Sequence, residues 1–442
     1  MNWQQLLSPE RAGQKAGSHT HSRSAFEQDY DRIIFSHPFR RLQDKTQVHP
    51  LPEHDFVHTR LTHSLEVSSV GRSLGKKVGE EILRRWPALA TGAQPLLAAD
   101  FGAVVAAASL AHDLGNPPFG HSGEEAISDF FRYHPYGLSF QSQVSEEAWA
   151  DLTRFEGNAQ GFRILNKQQY QGLRLTHATL GAFTKYPCPA HFPARNKARR
   201  SQKKFGFFLS ELPLFASIAT QMGLPADGLA WRRHPLAFLV EAADDICYSI
   251  IDLEDGCRLG LVSMSDTVEL LVAIVGDAFN LEKFNRIASR DEKIGVLRAM
   301  AIGKLVDECA QLFLDHEQDL LDGTYDIALT DRCPGKDALG RIVDVSVRQI
   351  YRARHVVEIE TAGFEVLPGL LDAFCQAGEV VLGKSLPRKY HNLARMLPEG
   401  MAEEIKLSGD HYAMLRLVID FVSGLTDKHA ISLYRKIKGI QV

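Results

Sequence analysis

No run in this chain is apolar enough to cross a bilayer. The longest apolar stretch, Leu96 to Leu110, is broken by Asp100, whereas a spanning helix needs roughly 18 or more such residues. The N-terminus, Met1 to Lys15, is polar and lacks the apolar core of a signal peptide. The six cysteines (188, 247, 257, 309, 333 and 375) include no CxxC pair, which argues against a thiolate zinc site or a disulfide framework. A cytoplasmic protein with reduced thiols is expected, with Cys247 and Cys257 as small core residues. Charge imbalance is also missing: 50 Lys and Arg face 54 Asp and Glu, for a net charge of −4. Any nucleic-acid contact would therefore need a local basic patch. Neither a repeat nor a low-complexity block is present.

What is present is a helical pattern in a chain of 442 residues with 45% hydrophobic content, enough for one large core with additions. Residues 1–25, rich in Ser, Gly, His and Gln, predict an N-terminal arm. Thr59 or Thr62 is placed to cap a helix with the apolar stripe Leu65, Val67, Val70, Leu74 and Val78. Ser68, Ser69, Gly71, Ser73 and Gly75 keep one side of it thin. That side suits close packing against the Ala-rich run Ala98–Ala111, which reads as a buried helix. This second helix delivers His112 and Asp113 at its end, with Gly115 as a candidate positive-φ stop and Pro117-Pro118 preventing continuation. His121 and Glu124 follow. A third helix, Pro235–Arg258, is apolar on most sides yet carries Asp244, Tyr248 and Asp252 at i, i+4 and i+8, one stripe on a helix. Carboxylates on a buried helix need a partner. Val356–Glu360 reads as a small strand or a helix turn, and the rest of the C-terminal half is helical. These patterns predict an all-α protein: residues 1–25 an arm, 26–260 a catalytic core, and 261–442 a helical C-terminal region packed on it.

Two further features have a bland and a sharp reading. His63, near the start of its helix, is either a structural histidine or a ligand. The segment Arg195–Lys204 holds six basic residues and no acid; it is either a mobile solvated loop or a flap that attracts a polyphosphate or nucleic acid. Taken together, His63, His112, Asp113 and Asp244 or Asp245 supply two imidazoles and two carboxylates. That mixed N/O set suits Mn, Mg, Fe, Co or Ni better than a structural zinc, although separations of 49 residues between the histidines and 131 from Asp113 to Asp244 carry no local signature.

The order of motifs resembles one family closely. His63, then His112-Asp113, then Asp244 resembles the H…HD…D set of the HD-domain phosphohydrolases. Within these, the chain is similar to the deoxyguanosine triphosphate triphosphohydrolases and related bacterial dNTP hydrolases. The resemblance is carried by seven ordered stretches that span nearly the whole chain, starting at Asp31, Phe39, Thr59, His112, Phe155, Glu241 and Phe421. It implies an HD-domain core and a divalent metal held by His63, His112, Asp113 and Asp244. Asp244 is preferred over Asp245 because only Asp244 is followed by Tyr four residues on and Asp eight residues on. It implies His121 and Glu124 as the catalytic pair. Gln47 and Asp252 would hold the sugar 3′-hydroxyl, Tyr248 would pack on the deoxyribose, and Arg60 and Lys185 would bind phosphates. Asn158 and Gln160 lie in a motif lining the site. The implied reaction converts a dNTP to deoxynucleoside and inorganic triphosphate. The implied partners are a homo-oligomer, tetramer or hexamer, and an effector nucleotide or single-stranded DNA.

Overall fold

The computed structural model describes residues 1–11, 23–48, 57–91, 95–167 and 172–440. Almost all regular structure in them is helical, and the strands are one two-residue hairpin, Ala226–Asp227 with Ala230–Trp231. None of the helices is long and apolar enough to cross a membrane.

Local sequence explains most of the helix starts. Ser24 opens α1 (Ala25–Ile34) with a capping box closed by Glu27. Thr59, the first of the two candidate caps, accepts from the Thr62 amide and opens α2 (Arg60–Arg85). Helix α3 (Ala98–Ala111) is buried along nearly its whole length. It is followed by α4 (Gly120–Tyr133), α5 (Gly157–Asn166) and α6 (His177–Phe183). Helix α7 (Leu236–Arg258) runs through the molecule with 19 buried residues. Beyond it come α8 (Arg290–Asp315), α9 (Arg354–Val381), α10 (His411–Ser423) and α11 (Asp427–Lys438). Val356–Glu360 belongs to α9, so the short-strand alternative does not hold.

The most extensive helix pair is α2 with α3, and small residues are the reason. A Cβ at Gly75 would sit 2.6 Å from the Phe101 carbonyl oxygen, and one at Gly71 would sit 2.5 Å from Ser109 Oγ. Ser68, Gly71 and Gly75 form the thin face as expected, joined by Gly79. Ser69 and Ser73 instead face solvent, as does Leu65 at 41% exposure. Helices α1, α6 and α7 pack around α3 to complete the first apolar cluster. A second cluster joins α4 to α9, α10 and α11, so the far C-terminal helices form part of the wall beside His121.

Within the expected arm, residues 1–11 are docked on this core: Trp3 and Leu6 are buried, and the N-terminal ammonium donates to the Leu321 carbonyl at 2.8 Å. Residues 12–22 lie outside the described residues. All six cysteines are free and buried.

Candidate active site

Helices α2, α3 and α7 converge at one end of the first cluster, bringing His63, His112 and Asp244 together. The Nε2 atoms of His63 and His112 lie 3.3 and 3.4 Å from the same oxygen, Asp244 Oδ1, and one donor atom from each residue falls within 4.8 Å of the others. Cis donors around an ion at about 2.1 Å are about 3 Å apart, so this spacing matches a shared cation. The His112 Nδ1 lies 2.6 Å from the Ser109 carbonyl. A carbonyl only accepts, so Nδ1 carries the proton and Nε2 presents its lone pair to the centre. His63 is 1% exposed and its Nδ1 has no hydrogen-bond partner. Burial opposes a charge on Asp244, but the two imidazoles outweigh it and hold this carboxyl well below the usual range. The donor set therefore fits a divalent cation of the hard-to-borderline type.

Asp113 stands at the edge of this trio. Its Oδ1 is 3.5 Å from His112 Nε2, while Oδ2 accepts from Arg60 at 2.6 Å and Oδ1 from the Asn116 amide. Asp245 points elsewhere: its Oδ2 accepts from the Thr330 hydroxyl at 2.6 Å. Burial, acting against Lys185, pushes its pKa up to about 6.

Around the trio lies a cavity of about 660 Å³, the size of a small-molecule site. Gln47, Arg60, His63, His112, Asp113, His121, Glu124, Asn158, Lys185, Asp244 and Tyr248 all line it. Of the sequence-predicted residues Asp252 and Gln160 do not. Asp252 lies behind Tyr351, whose hydroxyl donates to Asp252 Oδ2 at 2.7 Å, and the Tyr351 ring stacks on Tyr248 at 5.8 Å between centroids. Burial pushes Asp252 up to about 8, against the Tyr351 hydrogen bond. Gln160 does not line the cavity; it is buried between Asp420 and Arg416, to which it bonds at 2.8 and 2.7 Å.

His121 enters from the first turn of α4. Its Nδ1 is 2.8 Å from Glu124 Oε2, and its side chain is 83% exposed to the cavity and solvent. Glu124 is fixed in turn by the Gly157 amide at 2.6 Å. The loop before α4 does not turn at Gly115. The left-handed residues are Phe119 (φ 65°) and Gly120 (φ 58°). Gly115 is needed for close approach instead, since a Cβ there would meet the Gly157 carbonyl at 2.0 Å.

Sequence reasoning missed three features. Tyr351 follows a short π-helical turn, Ser346–Ile350, and nothing in its neighbours marks it as a cavity residue. Glu241, at 1% exposure, collects three cations: Arg233 at 2.7 Å, Arg200 at 2.8 Å and Lys185 at 3.3 Å. Burial opposes the Lys185 charge, but Glu241 raises its pKa above the ordinary lysine value. Finally, much of the basic segment's charge is paired with acids distant in sequence. Arg199 pairs with Asp326, Arg200 with Glu241 and Asp331, and Lys204 with Glu156, while Lys203 and Lys204 face the cavity.

The same regions match known families. The HD domain model matches residues 60–151, and the phosphohydrolase-associated domain model matches residues 336–436. A "deoxyguanosinetriphosphate triphosphohydrolase-like protein" of Synechocystis sp. is 44% identical over 454 aligned positions, covering 100% of both chains. One of the same description from Pseudomonas aeruginosa is 41% identical over 99% of both. This chain belongs to the deoxyguanosinetriphosphate triphosphohydrolase-like family. A "deoxyguanosinetriphosphate triphosphohydrolase" of Salmonella enteritidis is 32% identical over 94% of both chains. Membership makes the chain a helical HD-domain phosphohydrolase, and its His/His/Asp cluster is of the kind that binds a divalent metal.

Proposed function

We propose that this protein hydrolyses deoxynucleoside triphosphates to deoxynucleoside and inorganic triphosphate, with His63, His112, Asp113 and Asp244 holding a divalent metal. The observation that carries this reading is the joining, in one cavity, of a two-imidazole, one-carboxylate trio with a separate His121–Glu124 pair. A bound divalent ion supplies charge stabilisation at a phosphoryl group and lowers the pKa of bound water. Mn, Mg, Fe, Co and Ni all suit the N/O donor set.

In this reading a water oxygen bonds to the α-phosphorus, the bond from phosphorus to the nucleoside 5′-oxygen breaks, and triphosphate departs. The 5′-oxygen leaves with the bonding pair and takes the Nε2 proton of the His121 imidazolium, which Glu124 orients through Nδ1, while the proton lost by the attacking water passes to solvent and the imidazole is reprotonated from it. General acid assistance of this kind is worth roughly 10²–10⁴ in rate. Arg60 and Lys185, with Lys203 and Lys204 opposite, supply positive charge for the phosphates. Tyr248, Gln47 and Asp252 mark the sugar end. Tyr351 occupies the Asp252 oxygen that would otherwise meet a 3′-hydroxyl, so sugar binding requires that tyrosine to share or vacate it. Tyr248 against the sugar excludes a 2′-hydroxyl by steric contact. Soluble cytoplasmic action as a homo-oligomer, with nucleotide or single-stranded DNA as effector, completes the proposal.

The test is a panel of dNTPs and NTPs with Mn or Mg, with products separated by anion exchange. Release of intact triphosphate from dNTPs but not NTPs supports the reading. Orthophosphate release instead would identify a nucleotide phosphatase built on the same metal site.

A further inference from the structure

The stretch Phe421–Asp427 stands out in the sequence, yet it contributes no residue to the cavity. Its last member, Asp427, is 1% exposed and sits at the first position of α11. Its carboxylate does not serve its own helix, which Thr426 caps. One oxygen, Oδ2, accepts from the Thr46 amide at 3.0 Å and from the Thr46 hydroxyl. The other, Oδ1, accepts from the Phe119 amide at 3.1 Å. Both partners adjoin candidate catalytic-site residues: Thr46 precedes Gln47, and Phe119 is two residues before His121.

The Phe119 contact bears on an unusual backbone. Phe119 adopts a left-handed φ that residues with a Cβ rarely take, and Gly120, the first residue of α4, repeats it. This double turn reverses the chain after Pro117-Pro118 and points its buried amide at Asp427; without an acceptor that donor would be an orphan. The start of the loop is tied to the same segment. Lys45, buried, donates to the Asn116 carbonyl at 2.5 Å and to the Ser423 carbonyl at 3.0 Å. Arg41 reaches the neighbouring Gly424 carbonyl at 3.0 Å. The loop leading to His121 is thus held at its start by Lys45, which Ser423 anchors in turn, and at its end by Asp427, 308 positions away. His121 itself is largely exposed, and its side-chain hydrogen bond to Glu124 lies within its own helix turn. Where the imidazole stands in the cavity is therefore set by this turn.

We propose that Asp427 is a positioning residue for hydrolysis: its carboxylate fixes the Phe119 turn that aims His121 and, through Thr46, fixes Gln47 on the facing wall. This rests on His121 acting as the proton donor to the leaving oxygen. In Asp427→Asn the one remaining carbonyl oxygen satisfies either Thr46 or Phe119, and the amide NH₂ opposes the other donor.

The experiment uses the full-length, manganese-loaded enzyme and two substrates. One is a dNTP, whose alkoxide leaving group needs a proton. The other is bis(4-nitrophenyl) phosphate, whose nitrophenolate does not. Wild-type release of triphosphate from a dNTP is checked first; its absence defeats the functional reading and removes the basis for the positioning claim. With that established, Asp427→Asn is expected to lower kcat on the dNTP about 10- to 100-fold. Its kcat on bis(4-nitrophenyl) phosphate should stay within about threefold, at an unchanged manganese affinity. An equal loss on both substrates, or no loss in a folded protein, overturns the proposal. Should that variant not fold, Thr46→Val removes one hydroxyl donor only. It is expected to raise KM for the dNTP several-fold with kcat and the bis(4-nitrophenyl) phosphate KM unchanged. Unchanged or equally changed KM values for both substrates overturn the proposal.

Discussion

Glu241→Gln isolates the electrostatics of the proposed phosphate end. Glu241 is buried and each of its oxygens is committed: Oε2 to Arg233 at 2.7 Å, Oε1 to Arg200 at 2.8 Å and to Lys185 at 3.3 Å. The cations raise no competing demand for a proton: burial works against the carboxylate, but Arg233, Lys185 and Arg200 outweigh it and hold Glu241 far below the carboxylate range. A glutamine keeps the shape, offers one acceptor oxygen and brings no charge. The cost falls unevenly. Arg233 has a side chain only 1% exposed, and its Nε and Nη2 already lack partners. Arg200 keeps Asp331 at 2.9 Å, and Lys185 reaches the cavity. Removing one partner of a buried pair costs about 3–5 kcal/mol, and here most of it is the stranding of Arg233. The assay is urea unfolding at pH 7 with and without inorganic triphosphate. Ligand at 100 times its Kd stabilises by about 2.7 kcal/mol. With Lys185 and Arg200 relieved of their carboxylate, the anion should stabilise the variant more than the wild type, recovering part but not all of the loss. A variant within about 1 kcal/mol of wild type, or equal stabilisation of the two proteins by triphosphate, would refute the reasoning.

Four further outcomes follow from the same geometry. Asp244→Asn should weaken manganese binding by more than about 100-fold in calorimetric titration, whereas Asp245→Asn, which bonds Thr330, should shift it only several-fold; equal effects would contradict the choice between them. His58, held by Asp255 at 2.9 Å and Glu66 at 3.3 Å, is raised to about 10, the carboxylates outweighing burial. A raised pKa means that its stabilisation is complete below about pH 6.5 and is lost as pH rises through about 10, at about 1.4 kcal/mol per pH unit. The stability gap between wild type and His58→Gln should therefore shrink between pH 7 and 10 in urea titrations, and a constant gap would count against it. Gly75→Ala must push α2 from the Phe101 backbone, so it should cost about 1–3 kcal/mol and reduce manganese affinity, because His63 and His112 ride on those two helices. Gly303→Ala, with nothing within 4 Å of its added Cβ, should instead add about 0.5–1 kcal/mol by thermal or urea unfolding.

The helices were legible because their signals are local. Ala98–Ala111 and the end of α7 at Arg258 match the pattern to the residue, and the Ser/Gly face of α2 announced its close partner. The i, i+4, i+8 stripe set Asp244 and Tyr248 in the cavity, but its third member, Asp252, is screened by Tyr351, a contact 99 residues away that periodicity does not encode. Sequence pattern alone predicts a turn glycine at Gly115. Its true constraint is the Gly157 backbone pressed against it, and tight packing and positive φ leave the same letter in a sequence. The basic segment misled for a related reason: its acids lie at Glu156, Glu241, Asp326 and Asp331, so charge counted along the chain overstated charge in space. Gln160 and Asp427 show the converse, polar residues in distinctive motifs that do not line the cavity: Gln160 bonds Asp420 and Arg416, and Asp427 bonds the lining residues Thr46 and Phe119.

Hydrolysis at the proposed α-phosphorus, with triphosphate leaving whole, can be followed by turnover in ¹⁸O-labelled water. One ¹⁸O is expected in the released triphosphate, on a terminal phosphorus, and none in the deoxynucleoside. Label in orthophosphate or pyrophosphate, with a deoxynucleotide as the other product, would contradict it.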